Sequence, residues 1–202
     1  MMVTKNKRSQ KKRVSVSLRK KINSQSRRYR LWLLYKHCYE SKNEVAAQDQ
    51  TCYNYQDFVK ALQDKEYLKF VLINEENKSI GLILATENLK KAEVAYINRA
   101  CYEERLETRP QNEGILYTTF LGIDPECQSL ANLNKLIGAM VRYCFSNNLH
   151  AGLDYSETVS NLPKFIQRIA DKLYREGEVE RSATYKELDV QRFGIFEINS
   201  EE

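Results

Sequence analysis

The chain has 202 residues, 32 Lys and Arg against 27 Asp and Glu, a formal net charge of +5, and 42% hydrophobic residues. This is enough for one ordinary domain with a sizeable core. No stretch approaches the roughly 20 apolar residues of a membrane span, and no apolar run follows the charged start as it would in a secretory signal, so no integral membrane segment is expected.

The basic balance belongs to one end. Met1 to Arg30 holds 12 Lys and Arg and no Asp or Glu, which leaves 20 basic against 27 acidic residues, net −7, in the remainder. Such a segment can neutralise phosphates on nucleic acid or lie on an anionic membrane. The plainer reading is a solvated leader that aids solubility or docks on the acidic body. Val14, Val16 and Leu18 alternate only weakly and do not make the apolar face of an anchoring helix. Charge therefore predicts that residues 1–28 form a flexible basic tail and residues 29–202 the folded domain, so that removing residues 1–26 leaves the fold intact.

Five cysteines, Cys38, Cys52, Cys101, Cys127 and Cys144, are an odd number without C-x-x-C spacing. They read as reduced thiols, and a cytoplasmic location is expected. Cys127 just precedes a helix start, which lowers a thiol pKa if nothing opposes it; a passive loop cysteine is the plainer reading, and a reactive thiol the alternative. With His37 and His150 the only histidines, neither a His-rich metal site nor a Ser/His/Asp arrangement is expected.

In chain order, Leu31, Leu34, Tyr35 and Cys38 have helical spacing within Tyr29 to Tyr39, and Tyr55 to Leu62 reads as a second helix. The run from Phe70 to Ala85 reads as a hairpin, two apolar runs joined by a polar turn, with Gly81 early in the second. Glu103, Glu104 and Glu107 follow in an acidic stretch, and Glu113 precedes a strand predicted over Ile115 to Ile123. An Asp124-Pro125 stop and a polar loop come next. Leu133, Leu136, Ile137, Met140, Val141 and Cys144 then recur at spacings of three and four, the apolar face of a helix on a sheet. A strand over Gly152 to Thr158 should pair in parallel with Ile115 to Ile123, because a helical crossover joins them. A last helix opens near Pro163, and Glu187 to Ile198 reads as closing strands.

Strand, loop, helix, strand is a βαβ unit whose helix amino end offers unpaired N–H groups to an anion near Glu126 to Asn134. At these residues the chain resembles the GCN5-related N-acetyltransferase superfamily, over roughly Tyr29 to Asn199. Ile123-Asp124-Pro125-Glu126 matches the strand end, and Gln128-Ser-Leu-Ala131-Asn-Leu133 stands where the family has Q/R-x-x-G-x-G/A. Gln128 matches, whereas Ala131 and Leu133 replace the small positions, and a branched residue at 133 crowds the phosphates if it faces them.

The resemblance implies an α/β fold with a mixed, mostly antiparallel sheet flanked by helices. It implies an N-acyltransferase that moves an acetyl or longer acyl group from acetyl-CoA, another acyl-CoA or acyl carrier protein to an amine acceptor. The coenzyme pyrophosphate would meet Gln128, Ala131, Asn132 and Leu133, and Asn161 stands where the family has an asparagine after its fifth strand. Leu121, Gly122 and Ile123 are the positions whose backbone N–H would face the developing oxyanion. The first two helices and the Glu40 to Asn54 loop would cover the acceptor, with Tyr53 and Tyr55 lining a pocket or anchoring a helix. Eligible bases are the carboxylates Glu104 and Glu113, with Glu103 and Glu107 beside the first; eligible acids are Tyr155 and Tyr174. A catalytically silent member of the same fold, acting as an interaction module for nucleic acid or protein, is the alternative.

Overall fold

The computed structural model describes residues 14–40, 53–91, 114–153, 161–185 and 187. Five strands form one sheet in sequence order: β1 (Ser15–Arg19), β2 (Tyr67–Ile73), β3 (Ser79–Thr86), β4 (Gly114–Ile123) and β5 (Leu149–Leu153). Neighbours are antiparallel up to β4, and β4 and β5 are parallel, as expected of a mixed, mostly antiparallel sheet. The fifth strand begins three residues earlier than its sequence suggested; residues 154–160 lie outside the described residues.

The sheet is covered on both faces. Helices α1 (Gln25–Glu40) and α2 (Tyr55–Gln63) pack on one, and α3 (Leu130–Ser146) and α4 (Leu162–Arg175) on the other. Every residue of β2 and β3 is therefore buried, which is why both read as continuous apolar runs. Their turn is fixed by Asn74, whose side-chain oxygen accepts from the N–H groups of Glu76 and Lys78 at 3.1 and 2.9 Å, and by Asn77 in the left-handed region at φ 57°. Asn54 caps α2 by accepting from the Asp57 N–H at 2.9 Å, and Pro163 sits in the first turn of α4. Among the described residues no helix is long and apolar enough to cross a membrane.

The expected tail boundary at residue 28 is corrected. Ser15 to Arg19 pairs with Ile73 to Lys69 as an edge strand, Val14 and Val16 pack on the core, and α1 begins at Gln25. The Ile22 N–H donates to the Leu62 carbonyl at 2.9 Å. The Lys69 ammonium, fully buried, donates to the carbonyls of Lys20 at 3.0 Å, Tyr67 at 2.9 Å and Asp64. Residues 15–28 are thus held by ladder bonds and a buried cation that charge counting does not register, and removing residues 1–26 would take away a strand and the first two residues of a helix.

Candidate functional site

The end of β4 and the start of α3 form one continuous unit. Leu84 pairs with Phe120 but Ala85 pairs with Thr118, so Thr119 is an extra residue in β4, its hydroxyl donating to the Leu84 carbonyl at 3.2 Å. This bulge bends the strand where it leaves its registered pairs with β5, which run from Gly114 with Leu149 to Thr118 with Leu153. Beyond it the Asp124 N–H donates to the Ile80 carbonyl of β3 at 2.9 Å. Successive residues point their N–H groups to alternate edges, so Gly122 also faces β3. Leu121 and Ile123 face the other edge, the side of β5.

The loop is tied to this strand end. Asp124 accepts from the Glu126 N–H at 3.1 Å and caps a short 3-10 turn, Pro125–Cys127. Gln128 donates from its side chain to the Ile123 carbonyl at 3.4 Å, and Asn132 to the Cys127 carbonyl at 2.8 Å. Ser129 caps α3, its hydroxyl accepting from the Asn132 N–H at 3.1 Å, while the Leu133 N–H makes the first helical bond to the Ser129 carbonyl at 3.0 Å. The N–H groups of Leu130 and Ala131 precede that bond and have no intrahelical acceptor. Ala131 is exposed, and Leu130 is 71% exposed. Leu133, the residue expected to crowd the loop, is half-buried and packs on the core beneath the helix.

The other face of β4 meets an aromatic layer. Tyr35 lies 4.8 Å from Phe58 and 5.1 Å from Phe120, ring centre to ring centre, and stacks on Trp32 at 5.5 Å; Tyr55 meets Trp32 edge-on at 5.6 Å. The Tyr53 N–H donates to the Tyr35 hydroxyl at 2.7 Å, so Tyr53 anchors the start of α2 against α1. Cys38 points its sulfur at the Ile123 carbonyl, 3.8 Å away. Gly122 is required here, since a Cβ would come within 2.4 Å of the Phe120 ring and 2.7 Å of the Cys38 sulfur. This layer went unseen in the sequence because its members are separated by up to 88 positions. The helical spacing of Trp32 and Tyr35 was the available signal.

The environment of Cys127 opposes the reactive alternative. Burial, then the Asp124 and Glu126 carboxylates, push its thiol above the ordinary range. Cys144, buried under α3, is pushed up to about 12. Asn161 is exposed immediately before α4 and makes no capping bond with its side chain. Tyr174 lies on α4, half-exposed. Glu103, Glu104, Glu107, Glu113, Tyr155, most of the Glu40 to Asn54 loop and the closing strands after Glu187 lie outside the described residues. Among the described residues no group of His, Cys, Asp and Glu could hold a metal ion.

No protein-family model matches the sequence, and no curated protein does. Among solved structures, a Pyrococcus horikoshii protein assigned as an acetyltransferase aligns with 79% of this chain and 88% of its own, at 17% identity and a TM-score of 0.50. An aminoglycoside acetyltransferase from an uncultured soil metagenomic sample, solved with sisomicin, aligns with 89% of this chain and 97% of its own at 13% identity and a TM-score of 0.47. The aminoglycoside N-acetyltransferase AAC(6')-Iy, solved with CoA, covers 87% and 95% at 13% identity and a TM-score of 0.45. At such identities the likeness is one of fold. With its parallel β4 and β5 joined through α3 at the edge of an antiparallel sheet, the chain has the fold of the GCN5-related N-acetyltransferases.

Proposed function

We propose that this protein is an N-acyltransferase that moves an acetyl or longer acyl group from an acyl thioester, acyl-CoA or acyl carrier protein, to an amine. The observation that carries the reading is the β4 to α3 unit. One bent strand turns the Leu121 and Ile123 N–H groups away from β3, and the helix that follows leads with the acceptor-free N–H groups of Leu130 and Ala131. Two anion-seeking positions thus stand on consecutive elements.

The loop fits a pyrophosphate by its donors. Leu133 turns to the core and leaves the first turn to the exposed Ala131. Gln128 and Asn132 brace the backbone from below through Ile123 and Cys127. These residues would hold coenzyme A, with Asn161 assigned to the same ligand, and the coenzyme when bound supplies the activated thioester. Leu121 or Ile123 would stabilise the oxyanion with a backbone N–H; Gly122, whose N–H faces β3, is dropped from that role. Glu104 or Glu113 would take a proton from the acceptor ammonium to leave the attacking amine neutral, and Tyr155 would give one to the leaving thiolate.

The test is a thermal-shift titration of the full chain with coenzyme A, acetyl-CoA and longer acyl-CoAs, followed by transfer assays against polyamine, peptide and aminoglycoside amines. Stabilisation at micromolar ligand together with transfer to an amine is the expected result. Binding without transfer to any amine would favour the silent interaction module, and no stabilisation by any of these ligands would remove coenzyme A from the account.

A further inference from the structure

The folded part of the basic segment carries a charge arrangement that acyl transfer does not use. Arg19, Lys20 and Lys21 end β1 and lead toward α1, and Arg27, Arg28 and Arg30 stand on the first turns of that helix, with no acidic residue among the residues between them. The described ion pairs lie elsewhere: Lys60 with Asp57, Lys78 with Glu76, Lys91 with Asp64 and Glu66, Arg142 with Glu178, Lys172 with Glu176. Arg28 bonds instead to neutral carbonyls, Ile22 at 3.1 Å and Asn23 at 2.5 Å, and Arg27 to the side-chain oxygen of Asn77 at 3.1 Å. The first pair of bonds draws the start of α1 over the connection that carries Lys20 and Lys21, so these cations share one end of the helix.

Six like charges without an acidic partner among the described residues, on a body that is otherwise acidic, repel one another until a polyanion arrives. Four are arginines, whose planar forks match phosphate oxygens. Between Arg28 and Arg30 stands Tyr29, 54% exposed, with Leu33 one turn on at 47%. A half-exposed ring among guanidinium groups is a platform on which a base can stack. A lipid surface would need a continuous apolar face, and Tyr29 and Leu33 are the large apolar side chains that the described part of α1 exposes.

We propose that Arg19 to Lys21 and the first two turns of α1 bind the phosphate backbone of single-stranded nucleic acid, with Tyr29 stacked on a base. This assigns recognition to the fold itself and is independent of acyl transfer.

The experiment is fluorescence anisotropy of the full chain with labelled 12-nucleotide oligouridylate and oligothymidylate across a salt series. Affinity should fall with salt, each neutralised phosphate adding about 0.7 to the logarithmic slope. The triple variant Lys20→Glu, Lys21→Glu, Arg30→Glu should bind at least tenfold more weakly with an unchanged melting temperature. Tyr29→Ala, which alters no charge, should weaken binding by about fivefold or more. Three results would overturn the proposal: no binding of either oligonucleotide by the wild type, equal binding by the triple variant and the wild type, or loss in the variant of binding to phosphatidylserine vesicles only. Wild-type affinity in Tyr29→Ala would remove the stacked base.

Discussion

The two faces of the sheet are built from different materials. Beneath α3 and α4 the core is mainly aliphatic, Leu68, Leu72, Ile83, Leu116, Leu136, Ile137 and Met140 among others, with Phe70 its buried ring, edge-on to Tyr143 at 5.7 Å, whereas beneath α1 and α2 it is closed by the larger ring cluster of Tyr35, Phe58, Phe120, Trp32 and Tyr53. That face carries the amino end of α3. Rings prefer edge-on or offset contacts at defined distances. The aromatic face therefore locks α1 and α2 to one another and to Phe120, two residues before Gly122.

Substitutions of like size should separate the faces. The largest effect should come from Phe58→Ala. Phe58 is fully buried and meets Trp32, Tyr35, Tyr53 and Phe120, so its loss should cost about 3–5 kcal/mol in urea denaturation. A sharper contrast pairs two apolar swaps. Leu136→Met on the aliphatic face should cost less than about 1.5 kcal/mol, and Phe58→Leu more, because each aromatic pair it breaks contributes about 0.5–1.5 kcal/mol beyond its area. Equal losses would erase the distinction. Tyr35→Phe should cost about 1 kcal/mol by leaving the Tyr53 N–H without its acceptor.

The smallest effect concerns pH. Burial pushes the Lys69 ammonium down to about 8, more than the nearby Asp64 raises it; in an unfolded chain a lysine titrates near 10.5. The unfolded state then binds more protons between pH 8 and 10.5, so this group makes the unfolding free energy rise with pH across that window. Lys69→Met should flatten that slope in denaturant midpoints measured from pH 7.5 to 10.

The sequence displayed most elements on both sides of the sheet, the helices at Tyr29 to Tyr39, Tyr55 to Leu62 and near Pro163 among them, and hid β1 and the contacts between rings. β2, β3, β4 and α3 were legible because runs buried on both sides, or apolar residues spaced by three and four, leave a periodic trace. β1 was not: Val14, Val16 and Leu18 are three apolar positions among cations, and what holds the strand is its ladder with β2. β5, Leu149-His-Ala-Gly-Leu153, is short and mostly half-buried, without a branched apolar run, and its start was placed three residues late. The polar pair Thr118-Thr119 inside an apolar strand was a readable sign of the bulge. The direction of Leu133 was readable in the helical spacing that sets it with Leu136, Ile137 and Met140 on the core face; the family motif alone put it among the loop residues. Because Leu133 packs on the core, Leu133→Gly should destabilise α3 by removing packing and adding glycine to its first turn, by about 1–3 kcal/mol.

The most direct test of the account places a charge on the first turn of α3. Ala131 is exposed, and an aspartate near a helix amino end favours the helix, so Ala131→Asp should keep the wild-type melting temperature. By calorimetry, the wild type should bind acetyl-CoA at micromolar concentration and the variant at least tenfold more weakly, the new carboxylate standing beside the pyrophosphate. Equal affinity in the two proteins would contradict the assignment of the Gln128 to Leu133 turn as the anion site.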